Sequence, residues 1–338
     1  MTSSYLRPDG SGGIQALGLS SGGLDSILAA LILKQQGIDV TWICFTTPFF
    51  DCDAAMKASL STKIPIIIED ITDDYLKMLA DPPAGYGKNM NPCMDCHALM
   101  FSRAGIVMQN RGFDFLFSGE VAGQRPMSQK KNSLRYIEKK SGFDGYILRP
   151  LSGKILPQTI AEQKGFVNRD KLLSISGRSR KVQIKLAEQF GIKDYPAPAG
   201  GCLLTDHGFS EKLKDLMFIQ KKFNKRDLFL LKYGRHFRLD KNTKIVVGRS
   251  KFDNDNIMEL YDREKDILIK HAFMPGPDLL IPSGASEPFV QMAASICAGY
   301  TKTKPGDPAE MKVKSKNGCY IIKVPAFSPA QFQHMIIK

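Results

Sequence analysis

Residues 16–37, ALGLSSGGLDSILAALILKQQG, constrain the fold more than any other stretch of the chain. The continuous apolar run at 14–19 predicts a buried strand, and the apolar spacing at 27–36 predicts a helix that ends at Gly37. Between them stands the turn SSGGLDS. Glycine and serine cannot fill a core, so a turn built from them between two buried elements needs another explanation.

A strand that passes through such a turn into a helix predicts an anion site. Backbone N–H groups at a helix N-terminus point outward, and the helix dipole favours negative charge there. Gly22 and Gly23 let phosphate oxygens approach the backbone, while Ser20 and Ser26 add hydroxyl donors. Asp25 would repel a bare phosphate, which indicates a bound Mg²⁺ or a role in orienting the loop. The structural alternative is that serine and aspartate simply cap the helix.

Strands and helices alternate along the first part of the chain. Further strands are predicted at 40–45, 64–68 and 113–118, and further helices at 73–80, 98–110 and 181–190. This alternation predicts an α/β fold, a doubly wound parallel sheet with helices on both faces. Beyond Asp206 one helical stretch, 211–223, precedes short strand candidates, which predict a second, smaller α+β domain. We therefore expect domains at 1–205 and 206–338.

The charge balance indicates a polyanionic partner. The formal net charge is +13, and most of the excess lies beyond residue 206. Nucleic acid is the commonest such partner, although a basic host proteome would give the same balance. Strings such as QKKFNKRDLF and LKYGRHFRL, and SGRSRKVQIK earlier in the chain, suit contact with RNA.

The sequence predicts a cytoplasmic protein without a membrane partner. No apolar run reaches the roughly 18 residues of a membrane span. The N-terminus MTSSYLRPDGSGG has no apolar signal core. The sequence makes no prediction of the oligomeric state.

Seven cysteines without a secretion signal argue against a disulfide framework. They favour thiols that are kept reduced, metal binding or sulfur chemistry. Cys44, Cys297 and Cys319 stand in apolar stretches, so we predict that they are small core residues.

Cys93, Cys96 and Cys202 have a different setting. The string NPCMDC places a CxxC at a helix start, where a thiol is expected to have a lowered pKa. The proline- and glycine-rich DYPAPAGG predicts an ordered loop that leads to Cys202. A zinc site completed by His97 or His207, a redox pair, an iron–sulfur cube with an open iron, and inert cysteines all stay open.

The string SGGLDS resembles the SGGxDS signature of the PP-loop ATP pyrophosphatase superfamily. Those enzymes adenylate a carbonyl oxygen, release pyrophosphate and let a nucleophile displace AMP. The resemblance implies an adenine nucleotide alpha hydrolase-like fold that binds ATP and Mg²⁺, with adenine near the end of the second strand. The nucleotide-binding residues that it implies are Ser20, Gly22, Gly23, Asp25, Ser26, Phe45 and Gly119.

Four further segments resemble the bacterial tRNA 2-thiouridylases in order and rough spacing. They are NPCMDCHALMF, FDFLFSGEVAGQRP, LRPLSGKILPQTIAEQKGF and PAGGCLLTD. The resemblance covers residues 14–206 and implies an ATP-dependent enzyme that replaces a carbonyl oxygen in tRNA, on a uridine, by sulfur. Its implied partners are tRNA and a sulfur donor, either sulfide or a persulfide carrier. Glu120 and Val121 stand where that family has histidine and tyrosine.

The CxxC departs from the DxxC of those enzymes and is similar to the cluster-dependent tRNA thiolases. By that resemblance Cys93, Cys96 and Cys202 hold a [4Fe-4S] cluster whose open iron carries the hydrosulfide, with zinc as the less favoured metal. The alternative within the family is that Cys96 and Cys202 form a persulfide and resolving pair. Cys96, Cys202 and Asp25 are therefore the predicted catalytic residues.

The C-terminal segments FMPGPDLLIPSGASEP and AASICAGYTKTKPGDPAEMKVK resemble the NFACT-R type of RNA-associated module. This resemblance implies that the second domain binds RNA. Two rival functions stay open. One is a PP-loop enzyme with a small-molecule acceptor, which the three cysteines disfavour, and the other is a zinc-stabilised RNA-binding protein without catalysis.

Overall fold

A computed structural model describes residues 13–196 and 202–338 of the chain. The chain divides into two units, Met1–Cys202 and Leu203–Lys338. Most of the predicted DYPAPAGG loop, from residue 197 onward, lies outside the described residues. None of the described helices combines the length and the apolar character that crossing a membrane requires.

The first unit is an α/β unit built on a parallel sheet. Its described strands follow the order β3-β2-β1-β4-β5, and every neighbouring pair is parallel. Because the order runs outward from β1 in both directions, the predicted doubly wound sheet is confirmed. Its elements are β1 (Gln15–Leu19), α1 (Leu24–Lys34), β2 (Asp39–Thr46), α2 (Asp53–Thr62), β3 (Ile66–Asp70), α3 (Thr72–Ala80), α4 (Cys93–Arg111), β4 (Phe115–Ser118), α5 (Lys131–Ser141), β5 (Ile147–Leu148), α6 (Ile160–Gln163) and α7 (Lys181–Gln189).

The core of this unit lies against the central strands. Leu28 of α1, Trp42 of β2 and the Phe115 and Phe117 pair of β4 are almost completely buried in one cluster. Burying side chains of this size stabilises the fold by about 1.5–3 kcal/mol each. The continuous apolar runs in β1 and β4 reflect strands that are covered on both faces.

Two close backbone approaches position the turn after β1. A Cβ atom at Gly119, which follows β4, would overlap the backbone of Asp25 and Ser26. Gly22 has a φ of +73°, and a Cβ atom there would overlap the backbone of Ala54 in α2. Only glycine permits such approaches. The turn is thereby held at the reversal point between β1 and β4, where doubly wound sheets bind their ligands.

The second unit is an α+β unit, as predicted. Its described strands form an antiparallel sheet in the order β11-β10-β8-β9-β7-β6. Its elements are α8 (His207–Lys214), α9 (Lys225–Leu230), β6 (Arg235–Arg238), β7 (Lys244–Val247), α10 (Lys251–Glu259), β8 (Ile267–His271), β9 (Leu279–Ile281), α11 (Glu287–Gly299), β10 (Pro308–Ser315), β11 (Gly318–Pro325) and α12 (Pro329–Phe332). The helix predicted at 211–223 is α8 followed by a π-helical segment, Asp215–Gln220.

Helices cover the two faces of this sheet unequally. On one face α11 packs in a large cluster that includes residues of β8, β10 and β11. On the other face α9 and α10 contribute Leu230 and Ile257 to a small cluster with Val246, Leu268 and Leu280. That small cluster draws its strand residues from β7, β8 and β9.

We expect the Gly119→Ala substitution to lower the free energy of unfolding by about 2 kcal/mol, because the added methyl group meets backbone atoms that cannot rotate away. Urea denaturation of the two proteins measures this change. Gly23→Ala is the matched control, since its Cβ atom would meet only Ser21 Oγ, at 3.6 Å. Equal losses in the two variants would contradict the close approach at Gly119.

Candidate functional site

Hydrogen bonds that involve Ser20 and Ser26 stabilise the turn between β1 and α1. The Gly22 N–H donates to Ser20 Oγ at 3.1 Å, and Ser26 Oγ donates to the Gly23 carbonyl at 2.7 Å. Both serines are buried, so they shape the turn. Unpaired N–H groups at a helix N-terminus suit an anion. The turn N–H groups that find no acceptor among the described residues belong to Ser21, Gly23, Leu24 and Asp25.

A chain of two amides orients the Asp25 carboxylate. Gln124 Nε2 donates to Asp25 Oδ2 at 2.7 Å, and Gln183 Nε2 of α7 donates to Gln124 Oε1 at 2.9 Å. Asp25 Oδ1 is buried and has no hydrogen-bond partner among the described residues. One carboxylate oxygen is thus fixed and the other is available to a cation. The sequence did not indicate either glutamine, because they lie far from Asp25 along the chain.

The three predicted thiols share one neighbour, Tyr75 in the first turn of α3. Burial raises the pKa of Tyr75 well above its ordinary value, and the electrostatic influence of Cys96, Cys202 and Cys93 raises it further. Tyr75 also forms a side-chain hydrogen bond with Cys96. In addition, Asn91 Nδ2 donates to Cys93 Sγ at 3.3 Å. The fold therefore brings Cys93, Cys96 and Cys202 close enough to Tyr75 for all three to influence its pKa.

The expected lowering of the thiol pKa at the helix start is wrong for Cys96. The helix begins at Cys93 rather than at residue 98, so both cysteines lie inside it. Burial raises the pKa of the Cys96 thiol to about 12, and Cys202 and Cys93 add to the rise, while the hydrogen bond from Tyr75 opposes it. Desolvation of the thiolate outweighs the helix dipole here.

Cysteine and histidine are common metal ligands, but the described side chains are not arranged to hold a metal ion. Within residues 13–196 and 202–338, no three His, Cys, Asp or Glu side chains come close enough together to hold a metal ion. His97, one candidate for a fourth zinc ligand, already engages Glu120 through Nδ1. The described arrangement of Cys93, Cys96 and Cys202 therefore does not fit the predicted [4Fe-4S] cluster, and we assign no chemical step to it.

A buried ion pair joins the start of α4 to the end of β4. Glu120 Oε2 accepts from Arg149 Nε at 2.9 Å, and Glu120 Oε1 lies 2.9 Å from His97 Nδ1. Arg149 also contacts the Glu138 carboxylate. Burial alone would raise the pKa of Glu120, but Arg149 and His97 outweigh it and lower this pKa to about 2. The sequence missed this network, since its members are far apart along the chain.

Two sequence expectations for the remaining cysteines are wrong, one for the Cys44–Cys52 pair and one for Cys319. Cys44 and Cys52 form a disulfide, so the expectation that the thiols are kept reduced is wrong for this pair; β2 and the loop after it bring their Cα atoms to 6.0 Å. Cys297 is buried as predicted, whereas Cys319 is exposed because edge strand β11 turns most of its residues to solvent.

Phe45 is only 2% exposed, so its adenine contact stays a prediction, and the buried ring offers no open face for stacking in this conformation.

Known proteins match two different parts of the chain. The NFACT protein RNA binding domain matches residues 234–336, which confirms the predicted C-terminal module. The tRNA-specific 2-thiouridylase MnmA of Karelsulcia muelleri (strain GWSS) is 26% identical over 240 residues, which cover 65% of this chain and 57% of that protein. The resemblance to tRNA 2-thiouridylases is confirmed. The match thus extends over little more than half of this relative's length.

Two further comparisons cover shorter or more distant regions. A tRNA-specific 2-thiouridylase MnmA of Desulfosudis oleivorans is 40% identical over 86 residues, 24% of each chain. Among solved structures, a 4-thiouridine synthetase in complex with RNA and bound ATP gives a TM-score of 0.33 at 19% identity, over 52% of this chain and 50% of that chain.

We expect Glu120→Gln to lower the free energy of unfolding at pH 7 by about 3 kcal/mol, because it leaves the buried Arg149 guanidinium with Glu138 as its remaining charged partner. The pKa of Glu120 lies below its ordinary value of about 4.3, so its stabilising contribution is complete above that value and declines as the pH falls towards 2. Urea denaturation from pH 7 to pH 2 should therefore show the two proteins converging in acid.

Glu188→Gln removes an exposed carboxyl on α7 and serves as the control, with an expected change below about 0.5 kcal/mol. A constant difference between Glu120→Gln and the unmodified protein across this pH range would contradict the ion-pair account.

Proposed function

We propose that the chain is an ATP-dependent sulfurtransferase that replaces a carbonyl oxygen of a tRNA base, on a uridine, by sulfur. The observation that carries this proposal is that two features lie at one edge of the same parallel sheet. One is the turn at residues 20–26, which we call the anion cradle, and the other is the group of thiols Cys93, Cys96 and Cys202. The cradle follows β1, and the thiol-bearing start of α4 is bonded through His97 to Glu120, just after β4. The similarity to tRNA-specific 2-thiouridylases and the RNA-binding match support tRNA as the substrate.

In the first half-reaction the turn after β1 binds the phosphates of ATP through its unpaired N–H groups. Asp25 would hold Mg²⁺ through its unpartnered Oδ1, because Gln124 already fixes Oδ2. The carbonyl oxygen of the base attacks the α-phosphorus, and pyrophosphate leaves. The N–H groups, with the charge that Mg²⁺ supplies, stabilise the negative charge that develops on the phosphates.

In the second half-reaction the thiols deliver sulfur to the activated carbon. A persulfide on Cys96 or Cys202, formed when a persulfide carrier transfers its outer sulfur and keeps its own thiol, attacks that carbon through its terminal sulfur, and AMP leaves with the oxygen of the base. The other cysteine attacks the inner persulfide sulfur, which releases the thiolated base and forms a disulfide that an external thiol reduces. Sulfide as the donor would instead require the cluster that the resemblance implies, whose ligands Cys93, Cys96 and Cys202 would have to adopt an arrangement other than the described one.

Sulfur incorporation into tRNA tests this function. The full chain, purified without oxygen, is incubated with ATP, Mg²⁺ and unthiolated tRNA, with sulfide in one reaction and a low-molecular-weight persulfide in another, and thionucleosides are measured by mass spectrometry. Asp25→Asn, Cys96→Ser and Cys202→Ser should each lose at least about 100-fold in rate, as expected when a group used in the transition state is removed. Cys319→Ser, which changes an exposed cysteine of the second unit, should retain full activity.

Pyrophosphate release that does not depend on tRNA, without any thionucleoside, would contradict the proposal and favour a small-molecule acceptor. Metal analysis of the same anaerobic samples separates the sulfur carriers. About four irons per chain that disappear in Cys202→Ala would assign a cluster. Metal-free, active protein would assign the persulfide pair, and zinc without activity would leave a structural RNA-binding protein.

The amide chain to Asp25 gives a further prediction. Gln124→Leu should raise the Mg²⁺ concentration for half-maximal pyrophosphate release by about 10-fold, because a hydrogen bond to a charged group contributes about 1.5 kcal/mol. The maximal rate at saturating Mg²⁺ should change little, since the carboxylate itself remains. Gln163→Leu, at an exposed position of α6, is the control. An unchanged Mg²⁺ requirement in Gln124→Leu would show that Gln124 does not position Asp25.

A further inference from the structure

The sheet of the second unit has a lysine-bearing face that the proposed chemistry does not use. In β10, buried Met311 and Val313 alternate with exposed Lys312 and partly exposed Lys314. Met311 and Val313 belong to the core cluster that includes α11. Because successive side chains of a strand point to opposite faces, the two lysines lie on the face away from α11.

The strand register brings more lysines to the same face. Lys312 lies directly across from Lys270 of β8 on one side and from exposed Ile321 of β11 on the other. Lys323 of β11 lies across from Glu310. We call this surface the lysine face, and its lysines are Lys270, Lys312, Lys314 and Lys323.

The charges of the lysine face are only partly balanced within the unit, because Glu310 lies across from Lys323 and Asp278 interacts electrostatically with Lys270. None of its four lysines forms an ion pair with a described residue, and Lys314 instead lies 5.5 Å from the centre of the Tyr261 ring. Like charges directly across neighbouring strands are destabilising, and Lys270 and Lys312 form such a pair. Both side chains are exposed, so their ammonium groups are accessible to an external anion.

Protection of a sheet edge does not explain this arrangement. Lysine on an edge strand discourages edge-to-edge association, which accounts for Lys323 on β11. Lys270 and Lys312 lie on β8 and β10, each of which has a strand on both sides. Their side chains therefore do not guard an exposed backbone.

We propose that the lysine face binds the phosphate backbone of the RNA substrate. Lysine is a point charge that contacts phosphates without reading the base sequence. Phe273, three residues after Lys270 and 76% exposed, offers a ring on which an unpaired base stacks. An exposed ring that follows β8 and lysines without ion pairs suit a single-stranded or loop region of RNA. This inference rests on the proposed function, and it names the surface of the second unit that holds the tRNA.

Salt-dependent binding of the full chain to unthiolated tRNA tests the lysine face. The variant Lys270→Gln/Lys312→Gln/Lys323→Gln keeps side-chain length and removes three charges. Its dissociation constant should rise by at least about 10-fold at low salt, and the slope of log affinity against log salt should fall by about 2–3, because each phosphate contact releases close to one counterion. Phe273→Ala should weaken binding about 5-fold or more without changing that slope.

The matched control is Lys241→Gln/Lys251→Gln/Lys304→Gln, which removes the same charge from exposed positions of the second unit outside the lysine face. It should leave most of the affinity and of the salt slope. Removing the Lys270–Lys312 repulsion should keep the melting temperature of the first variant at or above that of the unmodified protein, so weaker binding cannot result from unfolding.

Equal losses in the two triple variants, or an unchanged salt slope in the first, would overturn the proposal. So would retained tRNA binding combined with lost binding to vesicles of anionic phospholipid, which would assign the face to a membrane surface. Binding is measured without ATP, so it is independent of catalysis. Failure of the proposed function appears instead as unmodified protein that binds tRNA and forms no thionucleoside.

Discussion

The Glu120 carboxylate is a buried charge, and the elements around it must supply its partners. Arg149, itself only 3% exposed, comes directly after β5, and His97 comes from α4. Breaking such a pair leaves an uncompensated charge in the interior, at a cost of several kcal/mol. Glu120, held by Arg149, therefore fixes the start of α4 against the end of β4 through its contact with His97. Because Cys96 immediately precedes His97, the position of the thiols depends on this interaction.

The anion cradle depends on a second constraint at the same edge of the sheet. Gly119, next to Glu120, lets the chain pass directly over the start of α1, and the amide of Gln124 reaches Asp25 from the same loop. The connection after β4 thus contacts both parts of the site. Gly119 lies against the anion cradle, and Glu120 contacts His97 of α4, the helix that carries Cys93 and Cys96. Adenylation of the oxygen and attack of sulfur on the carbon take place on the same carbonyl group, so the proposed chemistry requires this proximity.

The sequence predicted the parts of the fold that have local signals and missed those that depend on distant contacts. β1, its turn and α1 were predictable because an apolar strand, glycines and a helical apolar pattern follow one another directly. α2 was missed, since DAAMKASLST buries only Ala55 and Ala58 and shows no apolar stripe. The partners of Asp25 and Glu120 were missed because no pattern links them along the chain. The thiol pKa of Cys96 was wrongly predicted from its helix position, because burial is a property of the tertiary structure.

In the proposed reaction ATP activates the base by adenylation, and sulfur, not water, then displaces AMP. The most direct test is the reaction with unthiolated tRNA in oxygen-18 water, with mass analysis of AMP, pyrophosphate and thionucleoside. The account predicts AMP and pyrophosphate without the heavy isotope, and thionucleoside formed in proportion to AMP. Heavy oxygen in AMP or pyrophosphate, or release of ADP and phosphate, would show ATP hydrolysis by water and contradict it.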